Sequence, residues 1–146
     1  MLDTDRVRAS TASEINARID TATDASIRHY AKTTIGAISH RIEELDKEWD
    51  LERTLATNAA SLALGGLVLS VLHDRRWLVV PTLVMSFLLQ HALQGWCPPV
   101  PLLRLLGVRT RREIERERYA LKAMRGDFAG VLPTSRPDIV LNAVMR

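Results

Sequence analysis

The sequence predicts an all-α integral membrane protein built on a helical hairpin. Three observations carry that prediction: two long runs without charge, a four-residue polar turn between them, and tryptophans where the runs begin or end. Residues 55–72 (LATNAASLALGGLVLSVL) contain no charged side chain, and residues 77–96 (WLVVPTLVMSFLLQHALQGW) contain His91 as their one titratable group. At ~1.5 Å per residue, a helix of this length covers roughly the 30 Å hydrocarbon thickness of a bilayer. His73, Asp74, Arg75 and Arg76 form the turn. Trp77 and Trp96 bracket the second run and Trp49 precedes the first, so all three fall at expected interfaces. An indole suits that level because its ring is apolar while its N–H wants a polar partner.

Bulk composition hides this organisation, since the mean hydropathy is close to zero. Residues 1–53 carry eight Lys/Arg against eleven Asp/Glu, a net of −3. Residues 54–103 carry only Asp74, Arg75 and Arg76, and residues 104–146 carry ten bases against five acids, a net of +5. The expected layout is therefore a polar helical arm (1–53), a two-helix transmembrane hairpin (54–97), a Pro-rich interfacial connector (98–109), a basic amphipathic helix (110–128) and an irregular tail (129–146). One cysteine excludes an internal disulfide framework and a multi-cysteine zinc site. Residues 1–20 are polar and contain no apolar leader core, so the hairpin would act as its own insertion signal.

In the arm, Thr11, Ala12, Ser13 and Glu14 spell a capping box, followed by Ile15, Ile19 and Ala22 at helical spacing. Residues 21–34 are rich in Thr, Ala and Ser and read as weak helix. Ile35, Ile38, Ile42, Leu45 and Trp49 then form a narrow apolar seam of coiled-coil type. That seam fits two uses. It can fold onto the membrane surface or the chain's own tail, or residues 35–49 can bind a second copy or another protein. Only the Gly65-Gly66 pair interrupts the stretch from Arg41 to Leu72, so one helix running from the arm into the membrane is compatible with the sequence, which leaves its continuity open.

Within the hairpin, Ala59, Ser61, Ala63, Gly65, Gly66 and Ser70 make small-xxx-small pairs that let helix backbones approach closely. Packing of the first helix on the second is favoured over packing between chains. Pro81 falls in the first turn of the second helix, where a missing N–H costs least. Asn58, Thr57, Gln90, His91 and Gln94 share the level of the hairpin's open end, where cross-hairpin hydrogen bonds are expected. Arg41, Lys47 and Arg53 before the first run and Arg104, Arg109, Arg111 and Arg112 after the second outnumber Arg75 and Arg76 in the turn. The positive-inside rule then puts both termini in the cytoplasm.

Past the hairpin, Pro98, Pro99 and Pro101 argue against regular helix as far as Leu106. Thr110, Arg111, Arg112 and Glu113 form a second capping box opening a helix to about Arg125, with Ile114, Leu121, Met124 and Phe128 on one stripe. Its bases are expected to lie against anionic headgroups, and the candidate lipid-facing set is Arg104, Arg109, Arg111, Arg112, Arg116 and Lys122. Glu113, Glu115 and Glu117 interleave with these bases and disfavour nucleic acid. Arg125-Gly126-Asp127 matches an adhesion tripeptide by chance.

Gly95-Trp96-Cys97-Pro98, with Leu106-Gly107-Val108-Arg109-Thr110 about ten residues later, resembles the YgaP-like transmembrane domain over roughly residues 50–112. The resemblance implies a small two-helix protein of the bacterial inner membrane, attached in some members to a rhodanese domain that carries sulfur as a persulfide. Where many members carry a second cysteine, this chain has Arg111, and no other cysteine is present to bear a persulfide.

Cys97 admits four readings. It is a small interfacial residue, a reactive thiol activated by Arg104, a Cys-Pro haem ligand, or a metal ligand with His91. The first carries most weight. No Ser/His/Asp array, phosphate-cradling loop or paired intramembrane carboxylate is present. No catalytic, metal or cofactor residue is expected, and no enzyme. The expected role is a membrane-anchored interaction or scaffold module. A redox or sulfur-linked accessory using Cys97 stands second, and a small oligomeric channel lined by Asn58 and Gln90 third.

Overall fold

In a computed structural model that describes residues 5–132 and 136–144, every regular element is helical. The order is α1 (Arg6–Ala9), α2 (Ser13–Tyr30), α3 (Ile35–Lys47), α4 (Leu51–Leu72), a 3₁₀ turn (Arg75–Leu78), α5 (Val79–Gln94), α6 (Pro99–Leu105), α7 (Arg111–Arg125) and α8 (Pro137–Val144). The chain divides into two compact units, Met1–Ile19 with Trp49–Arg111, and Asp20–Glu48 with Arg112–Arg146. Each unit joins an early segment of the chain to a late one.

The first unit is the hairpin and what surrounds its open end. Asp50, extended at φ −73° and ψ 166°, caps α4 by accepting a hydrogen bond from the Arg53 N–H at 2.7 Å. That cap decides a point the sequence left open. Residues 48–50 are not helical, so the arm does not run on into α4. Aspartate is a better N-cap than interior helix residue, and the Leu51 N–H finds the Arg109 carbonyl at 2.9 Å instead of a helical partner.

Helix α4, and α5 with its leading 3₁₀ turn, are each long and apolar enough to cross a membrane. They pack along Ala59, Ala63 and Gly66, all buried. A Cβ at Gly66 would come within 2.7 Å of the Pro81 ring and 3.0 Å of the Val80 Cβ, so this glycine brings α4 against the start of α5. Only part of the small-residue set faces inward. Ser61 and Gly65 are exposed, with nothing within 4 Å of a Cβ at Gly65, and Ser70 is half-buried. Away from this seam both helices expose leucines and valines, including Leu64 at 63% and Val71 at 84%.

Helix α6 corrects the expectation that Pro98, Pro99 and Pro101 exclude helix. Pro99 and Pro101 lie in its first turn, where backbone N–H groups have no partner within the helix and proline sacrifices nothing.

The second unit is a small helical bundle. Ile38, Ile42 and Leu45 of α3 pack against Ile114 and Leu121 of α7, with Tyr30 alongside. The coiled-coil seam is thus filled by the chain's own tail helix, and those three residues are not a free docking surface. Ile35 remains exposed, as does Trp49 in the first unit. The weak stretch at 21–34 is helical as far as Tyr30, because its polar residues find partners on α7: Asp24 meets Arg116 at 2.9 Å and Ser26 donates to Glu117 at 2.6 Å. Tertiary contacts override the low propensity. The tail also differs from expectation. Residues 137–144 form α8, while Pro133 and the rest of 133–135, and residues 145–146, lie outside the described residues.

Candidate functional site at the open end of the hairpin

Backbone carbonyls left over at the helix ends need partners where apolar helices converge at the open end of the hairpin, and arginines from the residues before α4 supply them. Arg6 donates through Nη1 to the carbonyls of Ala92 and Leu93, both at 3.3 Å, at the end of α5. Those carbonyls lack helical partners, and a cation at a helix C-terminus also meets the negative end of the helix dipole. Gly95 permits the approach. At φ 74° it adopts the left-handed conformation, its N–H bonds to the His91 carbonyl, and a Cβ there would lie 2.5 Å from the Arg6 Cβ. Arg18 does the same for α6, donating to the Leu105 carbonyl at 2.6 Å.

Arg104 was expected to face headgroups. It is 0% exposed, donating to Asn16 Oδ1 at 2.8 Å and to the Val108 carbonyl at 3.2 Å. On the opposite face of α6, Leu102 (60%) and Leu106 (73%) are exposed, with Leu105 between them in sequence. The helix is inside out by the standard of water, with its cation within and most of its leucines outward.

The remaining bases expected at lipid divide. Lys122 is buried, so it is not a surface cation. Arg116 is exposed but paired with Asp20 and Asp24. Arg111 is largely exposed, with Asp50 at 3.7 Å, and Arg112 is exposed. Arg109 is half-buried. Arg118 pairs with Asp46 at 2.9 Å, and that hydrogen bond raises the guanidinium pKa further. The basic helix therefore spends much of its charge on the acidic arm, and Ile114 and Leu121 of its apolar stripe face α3 while Met124 stays exposed. Thr110, expected as a cap, is buried with its hydroxyl donating to Asp5 Oδ2 at 2.9 Å. Arg125 and Asp127 of the adhesion-like tripeptide bind each other.

Of the three tryptophans, Trp77 lies in the 3₁₀ turn and Trp96 two residues past α5, each partly exposed. The Arg53 guanidinium lies 4.2 Å over the Trp49 ring, a cation–π contact at the start of α4.

Cross-hairpin bonding falls on His91, one of the residues expected there, with a partner the sequence did not single out. Buried His91 Nε2 lies 3.1 Å from Glu52 Oε2, joining α5 to α4. Glu52 precedes the uncharged run, and only the earlier start of α4 brings it to this level. Asn58 stays on its own helix, donating from Nδ2 to the Thr54 carbonyl at 2.9 Å.

Cys97 is 1% exposed and belongs to a core with Val7, Leu51, Leu55 and Val100. Burial pushes its thiol pKa up, the Val100 backbone N–H opposes that rise, and the Glu52 charge adds to it. A raised pKa lowers the thiolate fraction, opposite to what a reactive cysteine needs. Cys97 and Leu55 also border a cleft of about 450 Å³ between α4, α5 and α6, whose walls include Ala59, Val84, Leu88 and Leu103. Among the described residues, no group of three or more His, Cys, Asp or Glu side chains could hold a metal ion.

Comparison with family models, with curated proteins and with solved structures gave no match.

Proposed function

We propose that the chain is an integral membrane protein in which α4 and α5 cross the bilayer as a hairpin and anchor a polar helical module, acting through interaction and not catalysis. The observation that carries this reading is α6, with Arg104 enclosed and Leu102, Leu105 and Leu106 outward. Exposing three leucines while burying a guanidinium is costly in water and natural at the edge of a bilayer. The uncovered belts of α4 and α5 support the same reading, because the membrane-length windows are only 22% and 11% buried.

The charge distribution around the hairpin supports cytoplasmic termini, and the resemblance to YgaP-like domains supports the bacterial inner membrane. Anionic headgroups fit the exposed Arg111 and Arg112. Since α7 occupies Ile38, Ile42 and Leu45, a second copy or a protein partner must use another surface. Ile139, Leu141 and Val144 on α8 remain exposed. The redox alternative gains nothing from a buried thiol of raised pKa, nor the channel from an Asn58 bonded within its own helix.

Alkaline washing of membranes that carry the full chain tests the anchor: retention in the pellet is expected, and release into the wash overturns it. A photo-crosslinker at Ile139 tests the interaction role. Capture of nothing in native membranes, not even a second copy, removes that role.

A further inference from the structure

The cleft of about 450 Å³ is within the roughly 300–1,000 Å³ typical of sites that enclose a small organic molecule. Its floor is Leu55 and Cys97, both buried, and its mouth is Leu62, Phe87 and Leu102, all exposed. The walls offer almost nothing to hydrogen-bond. Asn58 is the one amide side chain there, and its Nδ2 is engaged by the Thr54 carbonyl. Pro98 and Pro99 form one side and have no N–H to present. The Val100 N–H behind them is satisfied by the Cys97 carbonyl at 3.0 Å.

Three occupants can be weighed. A water needs about two to four polar partners, which these walls do not supply. A helix from a second copy is about 10–12 Å across with its side chains, too thick to reach Leu55 and Cys97 through a cleft of this volume. A hydrocarbon chain is thin, flexible and wholly apolar. The mouth opens through residues of the same exposed apolar surface that clothes α4 and α5, so the medium touching it would be acyl chains.

We propose that the cleft between α4, α5 and α6 is a binding site for one acyl chain of a membrane phospholipid, seated against Leu55 and Cys97 and entering past Leu62, Phe87 and Leu102. The proposal rests on the membrane reading above. The bound chain completes the packing that the hairpin leaves open beneath α6. In this site Cys97 contributes apolar surface, and its single thiol serves as a reporter of occupancy.

The test uses the full chain in phosphatidylcholine–phosphatidylglycerol vesicles containing a little phosphatidylcholine with a diazirine near the end of one acyl chain. After photolysis, label per residue at Leu55, Leu62 and Leu103 is expected to exceed that at Leu64, Val71 and Leu89 at least fivefold. Val84→Trp, which fills the cleft, is expected to remove that excess. A second readout does not depend on the variant folding. In lipid-stripped, detergent-solubilised protein, adding phosphatidylcholine is expected to slow Cys97 alkylation by N-ethylmaleimide at least fivefold. Even labelling over the belt, in protein that resists alkaline washing, overturns the cleft site alone. An alkylation rate indifferent to lipid, or crosslinks from the cleft to another protein chain, also overturns it. Release by alkaline washing overturns the membrane reading beneath it.

Discussion

The Glu117 carboxylate, with no exposed surface, lies 3.0 Å from Arg41 Nε and accepts a second hydrogen bond from the Ser26 hydroxyl at 2.6 Å. One acid of the basic tail thus ties together two segments of the acidic arm. Glu117→Ala leaves Arg41 facing a partly buried gap. Arg41 is 23% exposed and keeps Glu44 at 3.0 Å, so the cost is that of lost hydrogen bonds to a charged group, ~1.5–3 kcal/mol. Thermal unfolding of the detergent-solubilised chain, followed by circular dichroism, should show a lower midpoint, with Ser26→Ala giving a smaller drop.

Adjacent glycines should respond oppositely. Gly66→Leu drives a side chain into Pro81 and Val80, and overpacking of that kind costs ~1–3 kcal/mol. Gly65→Ala meets open space, and alanine in a helix interior gains ~0.5–1 kcal/mol over glycine. Thermal midpoints in detergent should therefore move in opposite directions, and equal shifts would contradict the packing seam.

Gly95→Ala should loosen the open end of the hairpin. The left-handed conformation costs an L-residue ~1–2 kcal/mol, and the new Cβ collides with Arg6. Faster hydrogen exchange at Arg6–Ala9 and in the last turn of α5 is the expected outcome, with α7 unchanged.

Cys97 makes a signed prediction about pH. Its folded pKa is raised, so the thiol keeps its proton after an unfolded chain would have lost it. The associated stability is fully present below the ordinary thiol range and is lost as pH rises through the higher folded value. Alkylation of the native protein should reach half its maximal rate at higher pH than that of the urea-unfolded chain. Coincident profiles would remove the claim.

Residues 55–72 and 77–96 made the two long helices legible, because eighteen or more uncharged residues leave few alternatives. Pro81 and part of the small-residue stripe were legible too, through spacing and backbone chemistry. The break at residues 48–50 was written in Asp50, a good N-cap, but a lone aspartate beside Trp49 is a weak signal. Glu52 near His91 had a similar trace, an acid just outside the apolar run and an imidazole just inside its other end. Nothing in linear spacing announced that Arg104 would be enclosed, since it depends on Asn16, 88 residues away.

The sequence by itself determined the helical class, the hairpin and the opposed charges of arm and tail, since each follows from local composition and period. Tertiary structure decided how those charges and faces were used. It set Ile38, Ile42 and Leu45 against α7, turned α6 so that Arg104 points inward, and closed Cys97 into the floor of a cleft. The reason is physical. Periodicity says which face of a helix is apolar, but burial and hydrogen-bond satisfaction depend on partners distant in the chain, and only their meeting chooses among the faces available.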